Sequence, residues 1–279
     1  MTSGTYDKIE PTTNKEKRKK YWDNALGLQK VDNLSPSNYM LSLVDEHIEG
    51  KITYDEIDKQ LKSYYEKNEN IYEEEADIVS LRIAKILEDG AFRFDYRTYL
   101  NYHKILFQGL DIGIPSKYIG NVRDYNISKK EAILNGDSVM YGYTDNLLET
   151  LKYDIENERN VKYSKLSDDE RVKQIARFTS LLWQNHVFGE GNTRTTAVFV
   201  EKYLISKGLN VDNGLFKDNS LYFRNALVRA NYSNLNYDVD ETDEFLIKFF
   251  ENLILGKDNA LDNDELDITP KMRSIEKTR

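Results

Sequence analysis

SDDERVKQIARFTSLLWQNHVFGEGNTRTTAVFVEKYLISKG, residues 167–208, reads as two helices joined by a short loop that holds two glycines. Ser167-Asp168-Asp169-Glu170 is a capping box, in which a serine hydroxyl and a glutamate three residues later satisfy the free amides of a helix start. Val172, Ile175, Ala176, Phe178, Thr179 and Leu182 follow at helical spacing, so the first helix is predicted to run to about Asn185. The second opens after Gly191, carries Val198, Phe199, Tyr203 and Leu204, and stops at Gly208.

Outward from this pair, helical signals dominate. Ser35-Pro36 places a cap before a first-turn proline and Gly50 a stop, which predicts a helix over about 36–49. Thr53-Tyr54-Asp55-Glu56 is a second capping box, opening a helix towards Lys67. Ile78, Leu81, Ile83, Ala84 and Leu87 mark another, and two more are predicted over about 220–232 and 242–255. Residues 120–142 differ. There Asn135-Gly136-Asp137 lies between β-prone residues, Ile127 and Ile133 before it and Val139-Met140-Tyr141 after it, a hairpin signal. The expected fold is all-α with one small β-hairpin. A helical region over 1–68 precedes a core over 69–256, and a polar tail over 257–279 is expected to be loosely held.

Bulk properties narrow the classes of function. An apolar fraction of 39% suffices for a core, and a net charge of −9 argues against nucleic acid or anionic lipid as a partner. Cysteine is absent, which rules out disulfide and thiolate chemistry. The basic run Lys15–Lys20 has no apolar core after it, and stretches such as Phe245-Leu246-Ile247 are too short to span a bilayer. A soluble cytoplasmic protein, with no membrane partner, is the expectation. Assembly with further copies of the chain stays open.

The loop His186-Val187-Phe188-Gly189-Glu190-Gly191-Asn192-Thr193-Arg194 carries the chemistry. A glycine-containing loop entering a helix start points several amides outward, with the helix dipole behind them, and so suits phosphate. Arg194, in the first helical turn, can clamp further phosphate oxygens with its planar fork. Glu190 beside such a seat matches the way Mg²⁺ is held, by one or two carboxylates plus substrate phosphates. His186 has the unperturbed pKa of a general base. Together these outline a site for phosphoryl or nucleotidyl transfer.

This stretch resembles the signature of the Fic family, His-x-Phe-x-(Asp/Glu)-Gly-Asn-x-Arg. Gly120-Asn121-Val122-Arg123 is similar to the family's lead into its target-docking flap, and Tyr222, Ala226, Leu227 and Ala230 to its late helix; the resemblance covers about residues 70–255. It implies a protein adenylyltransferase that moves AMP from ATP, with Mg²⁺, onto a Ser, Thr or Tyr hydroxyl of a target protein, self-modification included. Under it, His186 deprotonates the hydroxyl and Phe188 anchors the loop. Glu190 holds Mg²⁺, Asn192 contacts the α-phosphate, and Arg194 neutralises the outer phosphates, on a cradle formed with Gly189, Gly191 and Thr193. The flap residues Ile133, Val139, Met140 and Tyr141 pair with an extended target segment. Val187 replaces the usual proline. Thr193 stands where AMP-transferring members have glycine and the kinase-like branch has lysine. A phosphotransferase on the same fold and a catalytically silent target-binding module are the alternatives.

Ser42-Leu43-Val44-Asp45-Glu46 resembles the inhibitory motif (Ser/Thr)-x-x-x-Glu-(Gly/Asn) of many Fic proteins, with Ser42 and Glu46 on one helix face. Position 47 is His, outside that pattern, and Ala197 stands where self-inhibited relatives have the second arginine that pairs with the inhibitory glutamate. The expectation is weak or partial inhibition by Glu46.

Overall fold

The computed structural model describes residues 14–209, 211 and 214–277. The two decisive helices form where the sequence puts them, α7 over Asp168–Asn185 and α8 over Asn192–Ser206, and both halves of the capping box at Ser167 are made. Before them come α1 (Lys15–Gly27), α2 (Asn38–Ile48), α3 (Tyr54–Tyr65), α4 (Ile71–Glu88), α5 (Tyr96–Phe107) and α6 (Leu147–Arg159). After them come α9 (Leu215–Ala230), α10 (Glu244–Leu255) and α11 (Thr269–Glu276).

Every residue of α8 from Asn192 to Leu204 is buried, so this helix is the axis of the molecule, with α4, α5 and α7 packed around it. An all-round buried helix must pair its polar side chains. Thr196 shares a 2.9 Å hydrogen bond with the Tyr99 hydroxyl, and Glu201 accepts one from Asn24 on α1 at 2.6 Å. Phe199 anchors an aromatic cluster with Phe92, Phe94 and Tyr99. Each such side chain contributes about 1.5–3 kcal/mol by leaving water.

The N-terminal helices join the same core. α1 lies across α4 and α9, approaching so closely that a Cβ on Gly27 would sit 2.5 Å from the Lys217 Cα and the Phe216 carbonyl. Only glycine allows that crossing. The α2–α3 hairpin is fastened by Asp77 of α4, which accepts from the Ser37 amide and hydroxyl and from the Tyr65 hydroxyl.

Two expectations need correction. The β-hairpin does not form: among the described residues the only bridge is Asn234 with Val239, and Ala132–Leu134 is a single 3-10 turn. Asn135 and Gly136 do take the left-handed conformation their types favour, at φ 53 and 85. The arms, however, form no ladder. The Glu131 amide donates to the Asp137 carbonyl (2.9 Å) and its carbonyl accepts from the Gly136 amide (3.0 Å), while the Lys129 amide reaches the Ser138 hydroxyl (3.1 Å) and the Tyr141 hydroxyl the Glu131 carboxylate (3.3 Å). Burial of Leu134, Val139 and Tyr141 against the helices outweighs cross-strand pairing. The tail is not loose either. Leu266 and Met272 are buried, and the Ile268 amide donates to the Ile133 carbonyl at 3.0 Å. Its few apolar residues lie too far apart to announce a helix, yet they find a surface. Among the described residues, no helix is long and apolar enough to cross a membrane.

Candidate active site

α7 ends on His186, whose backbone is left-handed (φ 47, ψ 54). A non-glycine residue there costs about 1–2 kcal/mol, so the surroundings must impose it. Buried Arg123 does so: its Nε donates to the His186 carbonyl at 2.8 Å, its amide to the Val187 carbonyl at 2.9 Å, and its two terminal nitrogens to the carbonyls of Tyr125 and Gly142. One guanidinium therefore ties the turn at His186 to both ends of the flap segment.

The His186 Nδ1 lies 3.0 Å from the Trp183 carbonyl, which selects the tautomer with the proton on Nδ1 and leaves the Nε2 lone pair as the basic one. Burial pulls the imidazole down to about 3, so the ring is neutral at physiological pH and, while buried, only a weak base. The same burial has a structural consequence. Trp183 meets the ring edge-on and Tyr141 covers it at a centroid distance of 4.0 Å, so His186 is 7% exposed and does not line the large cavity described below.

The rest of the loop is held from beneath. Phe188 is fully buried and stacks on His103 at 3.8 Å. His103 accepts from the Gly120 amide at Nδ1 (2.8 Å), so its Nε2 donates to the Glu190 carbonyl (3.0 Å). Asn192 turns back on the loop, its Oδ1 accepting from the Phe188 amide and its Nδ2 donating to the Phe188 carbonyl. The side chain expected on the α-phosphate thus closes the turn instead. Thr193 faces the core and accepts from the Trp183 indole at 3.0 Å, so its bulk is kept away from the amides. At Gly191 (φ 74) an added Cβ would collide with the Phe107 ring.

A cavity of about 770 Å³ opens beside the start of α8, with Asp32, Glu75, Lys129, Glu190, Arg194 and Arg224 in its wall. That volume suits a nucleotide. Glu190 keeps its carboxylate partly exposed there, with one oxygen on the Gly191 amide at 2.9 Å. Among the described residues no group of three or more side chains could hold a metal. A cation beside Glu190 would take its remaining ligands from phosphate and water, as Mg²⁺ commonly does.

Arg194 is almost fully buried and already engaged. Its Nε pairs with Asp32 at 2.8 Å, its terminal nitrogens reach Glu75 at 2.6 Å and the Gln29 amide oxygen at 3.2 Å, and the Phe107 ring lies beneath it at 4.8 Å. Burial pushes the Glu75 carboxyl up, against the pull of the guanidinium. The acids on Arg194 are therefore Asp32 and Glu75, not Glu46. Ser42 and Glu46 are exposed on α2, and Ser42 only bonds back to the Tyr39 carbonyl.

Gln29 and Asp32 share a 3-10 turn, Leu28–Asp32, closed by Asn33 at φ 58. Asp32-Asn33, an acid followed by a residue tolerant of the left-handed region, is the sequence signal for this turn, a weak one that says nothing of Arg194. Glu75, Lys129 and His103 carried no local signal. Of the flap residues, Val139 and Tyr141 are buried, Ile133 borders the cavity and Met140 is 70% exposed.

Residues 93–204 match the family model described as Fic/DOC family, a stretch that takes in α5, α6, α7, the whole loop and most of α8. That family includes AMP-transferring enzymes and related transferases. No curated protein matches the chain.

Proposed function

With residues 93–204 forming a Fic/DOC family domain, we propose that this protein transfers AMP from ATP to a Ser, Thr or Tyr hydroxyl of a protein target, itself included. Carboxylates on Arg194 hold its resting state back. The observation that carries this reading is the shared wall of one nucleotide-sized cavity, in which Glu190 and Arg194 flank the start of a buried helix.

In this reading the amides at the start of α8 seat the phosphates and Arg194 neutralises them. Glu190 would hold Mg²⁺, which would supply positive charge to offset that of the phosphates. The target oxygen attacks the α-phosphorus and its proton passes to His186 Nε2. The bond from the α-phosphorus to the bridging oxygen breaks, and pyrophosphate leaves. Tyr141 lies over the imidazole, so the hydroxyl arrives only when that ring gives way.

Asp32 and Glu75 occupy the guanidinium that the phosphates need. Ala197 is buried on the next turn and adds no cation, which leaves half-exposed Lys129 as a further one in the wall, 3.9 Å from Asp32 and 4.0 Å from Glu190. Thr193 offers no charge to the phosphates, which weakens the phosphotransferase reading.

Incubation with ATP labelled at the α- or the γ-phosphate, using wild type and Asp32→Ala, tests the proposal. Label from the α position only, lost in His186→Ala, is expected. Label from the γ position alone would mean phosphoryl transfer, and none from either a silent binding module.

A further inference from the structure

The C-terminal segment grips the tip of the flap. The Ile268 amide donates to the Ile133 carbonyl at 3.0 Å. The Thr269 hydroxyl donates to the Ala132 carbonyl at 3.1 Å and accepts from the Asn135 amide at 3.2 Å. Arg273 Nε reaches the Asn135 side chain at 3.1 Å. Four hydrogen bonds thus fall on three flap residues, Ala132, Ile133 and Asn135, each from within residues 268–273.

The segment is itself anchored to the body of the protein. Leu266 is fully buried and Met272 nearly so, Asn263 accepts from Asn225 of α9 at 2.7 Å, and Glu265 pairs with Lys248 of α10 at 3.0 Å. Beyond the tip, Glu276 accepts from the Tyr237 hydroxyl at 2.8 Å. Force on the flap tip is therefore carried into α9 and α10.

From the tip the flap runs back to the catalytic turn. Glu131 pairs with Arg224 of α9 at 2.7 Å and accepts from the Tyr141 hydroxyl at 3.3 Å, while Tyr141 stacks on His186. Val139 and Tyr141 are buried and Met140 points out, the in–out–in alternation of an extended edge. Among the described residues no main-chain group pairs with the main chain of Val139, Met140 or Tyr141. The carbonyls at 139 and 140 accept only from side chains, the Ser138 hydroxyl at 2.9 Å and the Gln184 amide at 3.3 Å, which an incoming strand can displace. The groups at 132, 133 and 135 are taken.

We infer that residues 266–273 are a positioning strut. They hold the flap tip so that the arm Val139–Tyr141, and not the tip, is the ordered edge beside His186 on which an extended protein segment docks. The docking role rests on the adenylyltransferase reading; the strut itself does not. A strut made of hydrogen bonds to main-chain groups fixes the arm against fluctuation, and an edge ordered in advance binds an extended segment at less entropic cost.

Full-length Thr269→Val, with Thr269→Ser as its conservative partner, tests this in the Asp32→Ala background, where transfer is expected to be measurable. Valine keeps the shape and removes both hydroxyl bonds. Amide exchange across residues 132–141 should rise about tenfold or more. Transfer of α-label should fall several-fold, while ATP affinity stays within about twofold, and serine should restore both flap readouts. Unchanged exchange at 132–141 would overturn the strut. Faster exchange with transfer unchanged or increased would overturn its role in docking and make the segment an obstacle. If no variant transfers label at all, the assignment of activity fails, and exchange at residues 134–138, whose amides are hydrogen-bonded, alone decides the strut.

Discussion

Replacing Asp32 with alanine should convert a restrained site into an active one. Arg194 in the resting molecule holds Asp32 at 2.8 Å and Glu75 at 2.6 Å, with Asp32 14% and Glu75 10% exposed. Glu75 is hydrogen-bonded to the guanidinium, whereas Asp32 is held by charge alone. A close ion pair in such partly buried surroundings contributes about 1.5–3 kcal/mol net of desolvation. Incoming phosphates must displace it, so its removal should tighten ATP binding by roughly ten- to a hundredfold, at about 1.4 kcal/mol per tenfold. The same deletion strips one partner from a buried cation. Glu75 remains, so the loss of stability should stay near 1–3 kcal/mol and the melting temperature should fall by a few degrees. Binding is measured by calorimetry with a non-hydrolysable ATP analogue, transfer by self-labelling from α-labelled ATP, and folding by thermal denaturation. Glu46→Gly serves as the matched control and should change neither, since Glu46 is exposed and touches no part of the site. If Asp32→Ala folds but binds no tighter and labels no faster, or if Glu46→Gly does, the reasoning about which acid restrains Arg194 is wrong.

Other outcomes follow from the same contacts. Arg123→Ala should cost about 3 kcal/mol in denaturant titration, since one buried and two partly buried carbonyls lose their donor, and exchange should quicken at residues 186–187 and 141–143. His103→Ala should destabilise by about 2–4 kcal/mol and reduce transfer, because the Glu190 carbonyl loses its donor and Phe188 its stacking partner. Burial pulls all three histidines down, His47 to about 4 and both His103 and His186 to about 3. The folded chain therefore binds fewer protons than the unfolded one below pH 6.5. The stability these rings contribute is full above that pH and is lost as pH falls towards 4 for His47 and towards 3 for His103 and His186, at up to about 1.4 kcal/mol per ring per unit. Imidazole NMR should find no ring titrating near 6.5.

Much of the helical plan was legible because its signals are local. A capping box works within four residues, and α7 begins and ends where Ser167 and Asn185 said it would. α11 was not, because eight residues with one buried side chain carry too little periodicity. The flap shows a local signal overruled: Asn135 and Gly136 made their turn, but the arms beside them found better burial on the helices than against each other.

What the sequence alone determined is the candidate loop, since nine contiguous residues bring His186, Glu190 and Arg194 together between the end of α7 and the first turn of α8 whatever surrounds them. Only the tertiary structure decided which partners those groups meet. Spacing can say that Ser42 and Glu46 share a face, but not which face docks, and it was Asp32 and Glu75, on other elements, that reached Arg194. The same holds for the tyrosine over His186 and for the C-terminal residues on the flap tip. Contacts between distant segments depend on how whole helices pack. That is set by the summed burial of many side chains, a quantity no short stretch of sequence contains.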